Sequence, residues 1–592
     1  MNLPSISIHR IAALRVVIGL AQGAVLYGLY PREGGTSGSG QSALTEALPA
    51  AAGNPALLDA LATVAAYVPL IAVVGIGNLR WRPLLLWLVA SALLCGWVGY
   101  DVDASRRGGE MLPYGLWASA AVPMLLFIAH ALVVGGALDR RPIATFPTYF
   151  DVAWKQATQA AIALVFVGLF WSVLWLGAML FRAIRIEFVA DLLVQGWFWI
   201  PATTGAVAVS LHLTDAQTVP MRAVRTLLLN TLAWLLPLLV LIGSGFLVAL
   251  PFTGLAPLWA TGAGTAGLLS ASATLILLIN SHYQDGGSRG ERVRLLVVAR
   301  FVGALLLGPL VALAAMGLGL RIDQHGLTPM RALALAVLAV LACHAAGYAL
   351  AAIRSGLALR GLPATNIVSA LVAVVLMLAM LTPIADPARI SVASQVARLE
   401  SGRIAADGFD YDFLRRRSGR YGKRAFEHLK QNPEGPNAAR IVAAIARLPE
   451  EGSVRPGPAL ATAASRRAGI KVLYPEGASL PDDFLATDWN ASRPPGWRPL
   501  CLKRVGVACE AFMLDLTGSD EPEVVIWDSA SATVFSKDAA GRWSGVGSLE
   551  NVRCRDVTDA IRAGKLEVVP SRDREVLVGD ARLTFRPDCP RP

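Results

Sequence analysis

Residues 160–181 form an apolar run of 22 residues without a single charge. A bilayer's hydrocarbon core is ~30 Å thick, so about 20 helical residues span it. A helix of that length with no polar face has no place at the surface of a soluble protein. The run follows the amphipathic approach Tyr149-Phe150-Asp151-Val152-Ala153-Trp154-Lys155-Gln156. Three more such runs follow before Asp285, and the chain is organised around this block as a polytopic helical membrane protein.

Applied to the whole chain, the same criterion gives about eleven spans: 11–30, 57–77, 83–100, 114–135, 160–181, 192–213, 227–252, 258–280, 295–319, 332–352 and 367–384. The sixth is expected to tilt. The first is longer than a typical secretory h-region and no small-residue cleavage site follows it, so it reads as a retained helix. Only 16% of residues are charged, against about 25% in soluble domains. Charges are sparse before Asp386 and dense after it. Three regions follow: a transmembrane domain over 1–385, a helical juxtamembrane segment over 386–456, and a soluble α+β domain over 457–592.

The net charge of +11 is taken up largely by arginines in short loops, so nucleic acid is not the expected partner. Thirteen Lys and Arg residues fall on one side of the spans and seven on the other. The positive-inside rule then places the N-terminus in the cytoplasm, and an odd span count places the tail in the periplasm. Pro237 and Pro309 lie mid-span as kinks or unwound sites. Ala263, Gly267 and Ala271 are spaced for a close helix approach.

In the tail, Ile390, Val392, Val396 and Leu399 recur at helical spacing. A basic helical stretch over 411–431 carries Arg415, Arg416, Arg417, Arg420, Lys423 and Arg424, read as a contact for anionic lipid or as a solvated face. Short β-type runs follow at 471–474, 511–514, 523–527, 533–536, 566–569 and 582–585. Cys501, Cys509, Cys554 and Cys589 form an even set in this small domain, which points to two disulfides in an oxidising compartment. The preferred pairing is Cys501–Cys509, closing a hairpin, with Cys554–Cys589. Cys95 and Cys343 read as small buried hydrophobes in spans.

Several motifs occur together in order: Phe150-Asp151-Val152-Ala153-Trp154-Lys155, Leu250-Pro251-Phe252-Thr253-Gly254-Leu255 and Tyr283-Gln284-Asp285-Gly286. The stretch from Ile390 to Leu399, then Phe409-Asp410-Tyr411-Asp412-Phe413-Leu414 and Ser418-Gly419-Arg420-Tyr421-Gly422, complete the set. The set resembles the bacterial membrane family called domain of unknown function 4153, over roughly residues 149–429. The resemblance implies an inner-membrane protein with a C-terminal soluble part. It brings no reaction and no catalytic residues.

Three groups of residues remain as candidates for chemistry. His130, His212, His282 and His344 fall at one depth, with Arg300, Asn230 and Asn280 nearby. They read as a polar path for protons or cations, or as separate interface residues, with Arg15 and Arg300 snorkelling. Asp101 and Asp103 form an acidic pair in an expected outer loop, similar to those of membrane glycosyltransferases, or simply solvated loop charge. Asp515, Asp520 and Glu523 resemble a depleted calcium loop or a degenerate turn. There is no G-x-S-x-G and no P-loop, and no cofactor is expected. The leading reading is non-enzymatic: transport, or envelope sensing and scaffolding. The rival is an intramembrane transferase acting on lipid-linked substrate at the periplasmic face.

Overall fold

The apolar runs fold as helices that continue past the ends set by hydropathy. The computed structural model describes residues 8–29, 54–106, 112–216, 218–260, 263–286, 293–448, 461–475, 477–489, 499–516, 521–527, 532–538, 541–549, 561–562, 576–578 and 581–583. The chain divides into two compact units, Met1–Ala446 and Arg447–Pro592.

The first unit is a bundle of α1 (Ile8–Leu29), α2 (Pro55–Gly75), α3 (Trp81–Arg106), α4 (Leu112–Asp139), α5 (Phe146–Ala183), α6 (Phe188–Val194), α7 (Gly196–Ala216), α8 (Thr218–Thr253), α9 (Gly264–Tyr283), α10 (Arg294–His325), α11 (Pro329–Ser355) and α12 (Leu362–Met380). Among the described residues, ten helices are long and apolar enough to cross a membrane. The expected sixth span is broken rather than tilted: α6 and α7 meet at 72° across Gln195, whose backbone is extended. Pro237 and Pro309 both lie inside continuous helices, so neither marks an unwound site. The small-residue face of α9 is not a packing seam, because a Cβ on Gly267 would meet nothing within 4 Å. Close approach occurs instead where α1 crosses α7. A Cβ on Gly23 would fall 2.3 Å from the Pro201 Cα.

α5 sets the geometry of one end of the bundle. Thr145 precedes it in extended conformation and a proline occupies its first turn. The Asp139 carboxylate fixes this start by accepting from the Thr145 N–H at 2.7 Å and the Thr148 hydroxyl at 2.8 Å. Its 38 residues reach about 57 Å at 1.5 Å per residue, well beyond a bilayer core. The amphipathic approach is therefore one rigid rod with the span, and it holds Asp151, Lys155 and Gln159 in fixed register.

The juxtamembrane segment belongs to this unit. α13 (Pro387–Glu400) is capped by Asp386, whose carboxylate accepts from the Ala388 N–H at 2.8 Å. One face of α13 closes the C-terminus of α10. Arg398 donates to the carbonyls of Asp323 and Gln324 at 2.8 and 2.9 Å, and Gln395 to that of His325 at 3.0 Å. These are carbonyls that a helix end leaves without intrahelical partners. A single π turn, Phe413–Arg417, leads into α14 (Gly419–Gln431) and α15 (Ala438–Ala446), so the expected basic helix is broken at Ser418.

The second unit is α+β. A five-stranded sheet runs β1 (Ile470–Tyr474), β2 (Cys509–Leu514), β3 (Glu523–Trp527), β4 (Ala532–Lys537), β5 (Trp543–Leu549), with β1–β2 parallel and the other pairs antiparallel. Phe535 packs edge to face with both Phe484 and Trp489 on one side of it. β5 was not expected from its sequence, because Gly545 and Gly547 interrupt the apolar pattern. β6 (Val576–Val578) pairs β7 (Ala581–Leu583), which overlaps the run expected at 582–585, whereas the run at 566–569 lies outside the described residues. The Cys501–Cys509 disulfide forms, with Cα atoms 6.1 Å apart. It ties a short helix, Leu500–Lys503, to the start of β2 rather than closing the expected hairpin. Cys554 and Cys589 lie outside the described residues.

Candidate functional site

Six helix ends meet on the arginine-rich side of the bundle, and charge collects there. Arg15 sits about two turns into α1 and is only 2% exposed. Its guanidinium donates to the Ile76 carbonyl at 2.5 Å, just past the end of α2, and to Asp215 Oδ2 at 2.8 Å. Lys155 on α5 donates to the other oxygen, Asp215 Oδ1, at 2.6 Å, and to Asn78 Oδ1 at 3.3 Å. Asp215 at the end of α7 thus bridges two cations, and both its oxygens are engaged. The turn after α2 comes this close because Gly77 adopts φ +92°, a conformation other residues rarely take. Arg225 on α8 pairs with Asp151 on α5 at 2.7 Å.

Asn78, Asp151, Lys155, Asp215 and Arg225 line a cavity of about 280 Å³, together with Gln159 and Thr214, and Arg15 lies behind Asp215 outside that lining. Arg222 also lines it and is exposed, with no ion-pair partner among the described residues. A second cavity of about 520 Å³ lies alongside and is almost wholly apolar, walled by α2, α4, α5 and α7. The two share Val74, Gln156 and Gln159.

The four histidines are not gathered on one path. His130 lines the apolar cavity, and its Nδ1 accepts from the Trp87 indole N–H at 2.9 Å. His344 lines a different cavity, with Asn280 and Asn366, and packs edge-on against Tyr348. His212 is half-buried on α7, and His282 is buried in the last turn of α9. Asn280 belongs to a closed ring that spacing did not reveal. It donates to the Tyr348 hydroxyl at 2.8 Å, Tyr348 to Asn366 Oδ1 at 2.6 Å, and Asn366 back to Asn280 Oδ1 at 2.6 Å. Asn230 accepts from the Gln284 amide at 3.4 Å, away from that ring.

Arg15 and Arg300 do not snorkel. Arg300 is 4% exposed and donates to the Leu357 carbonyl at 2.7 Å, with its guanidinium over the Tyr283 ring. Arg466 in the second unit repeats the pattern, bonding the carbonyls of Leu485, Leu502 and Thr487. In each case a buried guanidinium satisfies carbonyls at or next to helix ends.

The expected outer acidic pair lies on a helix and not in a loop. Asp101 is buried in the last turns of α3 and pairs with Arg420 of α14 at 2.6 Å. The side chain of Asp103 lies outside the described residues. Asp386 stands close by, and its carboxyl is pushed up by burial, with the charge of Asp101 adding to the shift. Of the basic cluster, Arg415 is buried under the Phe426 ring and Arg420 is held by Asp101. Arg416 pairs with Asp412 and Arg417 with Asp410, and these two arginines, Lys423 and Arg424 are the exposed members of the cluster. In the suggested calcium loop, Glu523 is buried and accepts from the Leu516 N–H at 2.7 Å, so it closes its own turn. Asp515 is the residue before that turn and Asp520 lies outside the described residues. Among the described residues, no three His, Cys, Asp or Glu side chains converge as a metal-ligand set.

No curated protein and no solved structure matches the chain. Residues 44–426 match the family described as Domain of unknown function (DUF4153). The match begins well before the motif-bearing stretch and takes in every residue that lines the charged cavity. It covers more than half of the 592 residues, and the chain therefore belongs to the Domain of unknown function (DUF4153) family.

Proposed function

We propose that the protein is a multi-pass protein of the bacterial inner membrane that works by binding, in transport or in envelope sensing, and not by catalysis. The N-terminus is assigned to the cytoplasm and the C-terminal unit to the periplasm, on the arginine asymmetry. The observation that carries the binding reading is the charged cavity around Asp215. Its carboxylates, Asp151 and Asp215, are each held by a cation. An acid or base for catalysis needs a proton-transfer site within reach of a substrate, and ion-paired carboxylates serve positioning better. The transferase reading needs Asp101 open to an outer cleft, whereas its partner Arg420 closes it off.

A deletion strain compared with its parent tests this. Altered uptake of a solute, or altered envelope-stress output, with unchanged lipid-linked intermediates is the expected result. Accumulation of a lipid-linked intermediate would overturn it in favour of a transferase.

A further inference from the structure

The polar and apolar cavities adjoin, and their chemistry differs across one wall. On the polar side, Lys155, Arg222 and Arg225 face Asp151 and Asp215, an excess of one positive charge before Arg15 is counted. On the apolar side, the cavity runs from Gln156 to Val167 along α5, about 16 Å at 1.5 Å per residue. Its volume of about 520 Å³ falls within the ~300–1,000 Å³ typical of ligand sites.

Two donors stand where the cavities meet or just within the apolar one. Gln159 is only 5% exposed, lines both cavities, and its amide has no hydrogen-bond partner among the described residues. His130 is likewise 5% exposed, and because Nδ1 accepts from Trp87, the proton resides on Nε2, which is buried and unbonded. A buried polar group without a partner costs about 1–3 kcal/mol, so His130 Nε2 points to an acceptor supplied from outside the chain, and the Gln159 amide, open to both cavities, is free to donate to the same molecule.

We propose that the paired cavities hold one anionic phospholipid from the surrounding leaflet. Its phosphate sits against Arg222 and Lys155, an ester oxygen accepts from Gln159 or His130, and one acyl chain fills the apolar cavity. Arginine suits phosphate because its planar fork matches two oxygens at once. A zwitterionic headgroup brings its own ammonium against Arg222 and fits less well. The inference rests on the binding reading above and names its ligand class.

The test uses the full chain, purified in detergent and stripped of lipid, with native mass spectrometry as readout. Phosphatidylglycerol should stay bound under collisional activation that removes phosphatidylcholine of the same chains. Arg222→Gln should lower phosphatidylglycerol affinity about tenfold and abolish the preference. Gln159→Leu should also weaken binding while leaving the lipid-free thermal midpoint unchanged or raised, since that amide holds nothing in the fold. A general loss of structure would move both readouts down together. Glycerol 3-phosphate, which offers the phosphate without chains, should not compete at equal concentration. Equal retention of both lipids, unaltered binding by both variants, or full competition by glycerol 3-phosphate would each overturn the proposal, the last reducing the site to an anion pocket. Lipid binding in a protein whose deletion changes neither uptake nor stress output would leave this site standing and sink the transport and sensing reading.

Discussion

The Arg420 guanidinium meets the Asp101 carboxylate at 2.6 Å, joining α14 to the last turns of α3. The Asp101 side chain is 6% exposed and that of Arg420 27%. The pair therefore sits at the edge of the bundle, with the acid inside and the base nearer water.

That asymmetry predicts unequal mutants. Removing one partner of a buried pair costs about 3–5 kcal/mol when the other charge stays trapped. Arg420→Ala leaves Asp101 buried and unpaired and should approach that figure. Asp101→Ala leaves an arginine able to turn outward and should cost less. Thermal unfolding of the detergent-solubilised protein ranks them, and equal losses would contradict the asymmetry.

Asp386 makes the same region pH-sensitive. Burial raises its carboxyl above the ordinary value of 3.8, and nearby Asp101 adds to this, against bonds from the backbone of Ala388 and Arg389. The folded state then holds the proton more tightly than the unfolded chain. Its contribution to stability is full below pH 3.8 and is lost as pH rises through the raised folded value. Asp386→Asn keeps an acceptor for the Ala388 N–H and removes the titration. The thermal midpoint of this variant should fall less than that of the parent as pH rises from about 4.

The Asp215 cluster should also respond unequally. Asp215→Ala strands Arg15, whose side chain is 2% exposed, and should cost about 3–5 kcal/mol. Lys155→Met removes a cation that is 40% exposed and leaves Asp215 still bonded to Arg15, so about 1 kcal/mol or less is expected. Chemical denaturation in mixed micelles distinguishes the two.

The Cys501–Cys509 bond tests the proposed orientation. In a chain retaining only these two cysteines, a membrane-impermeant maleimide should label intact cells only after an impermeant reductant. Labelling that requires permeabilisation would place the second unit in the cytoplasm. Replacing both by serine should destabilise that unit by about 2–3 kcal/mol, the scale for so short a loop.

Hydropathy is a local property, so spans such as 160–181 were legible from residue order alone. The break at Gln195 was not, because a single Gln195-Gly196 step is a weak mark and the apolar character continues on both sides. The motif order pointed to the family, and the charge change near Asp386 to the soluble tail. The charged cluster beside the cavity was missed because Arg15, Lys155 and Asp215 lie far apart in sequence and only the fold joins them. A usable signal was there: each is an ionisable group near the same predicted end of an apolar helix, where such groups are rare. The histidines shared a depth without sharing a neighbourhood, since depth fixes one coordinate of three.

The closure of α10 has a consequence for the order of synthesis. The carbonyls of Asp323, Gln324 and His325 bond to Arg398 and Gln395, which the ribosome adds more than sixty residues later. Until those residues emerge, that helix end must rely on water. Chains arrested before residue 395 should be cut by protease near residues 323–327, and chains extended past residue 400 should resist.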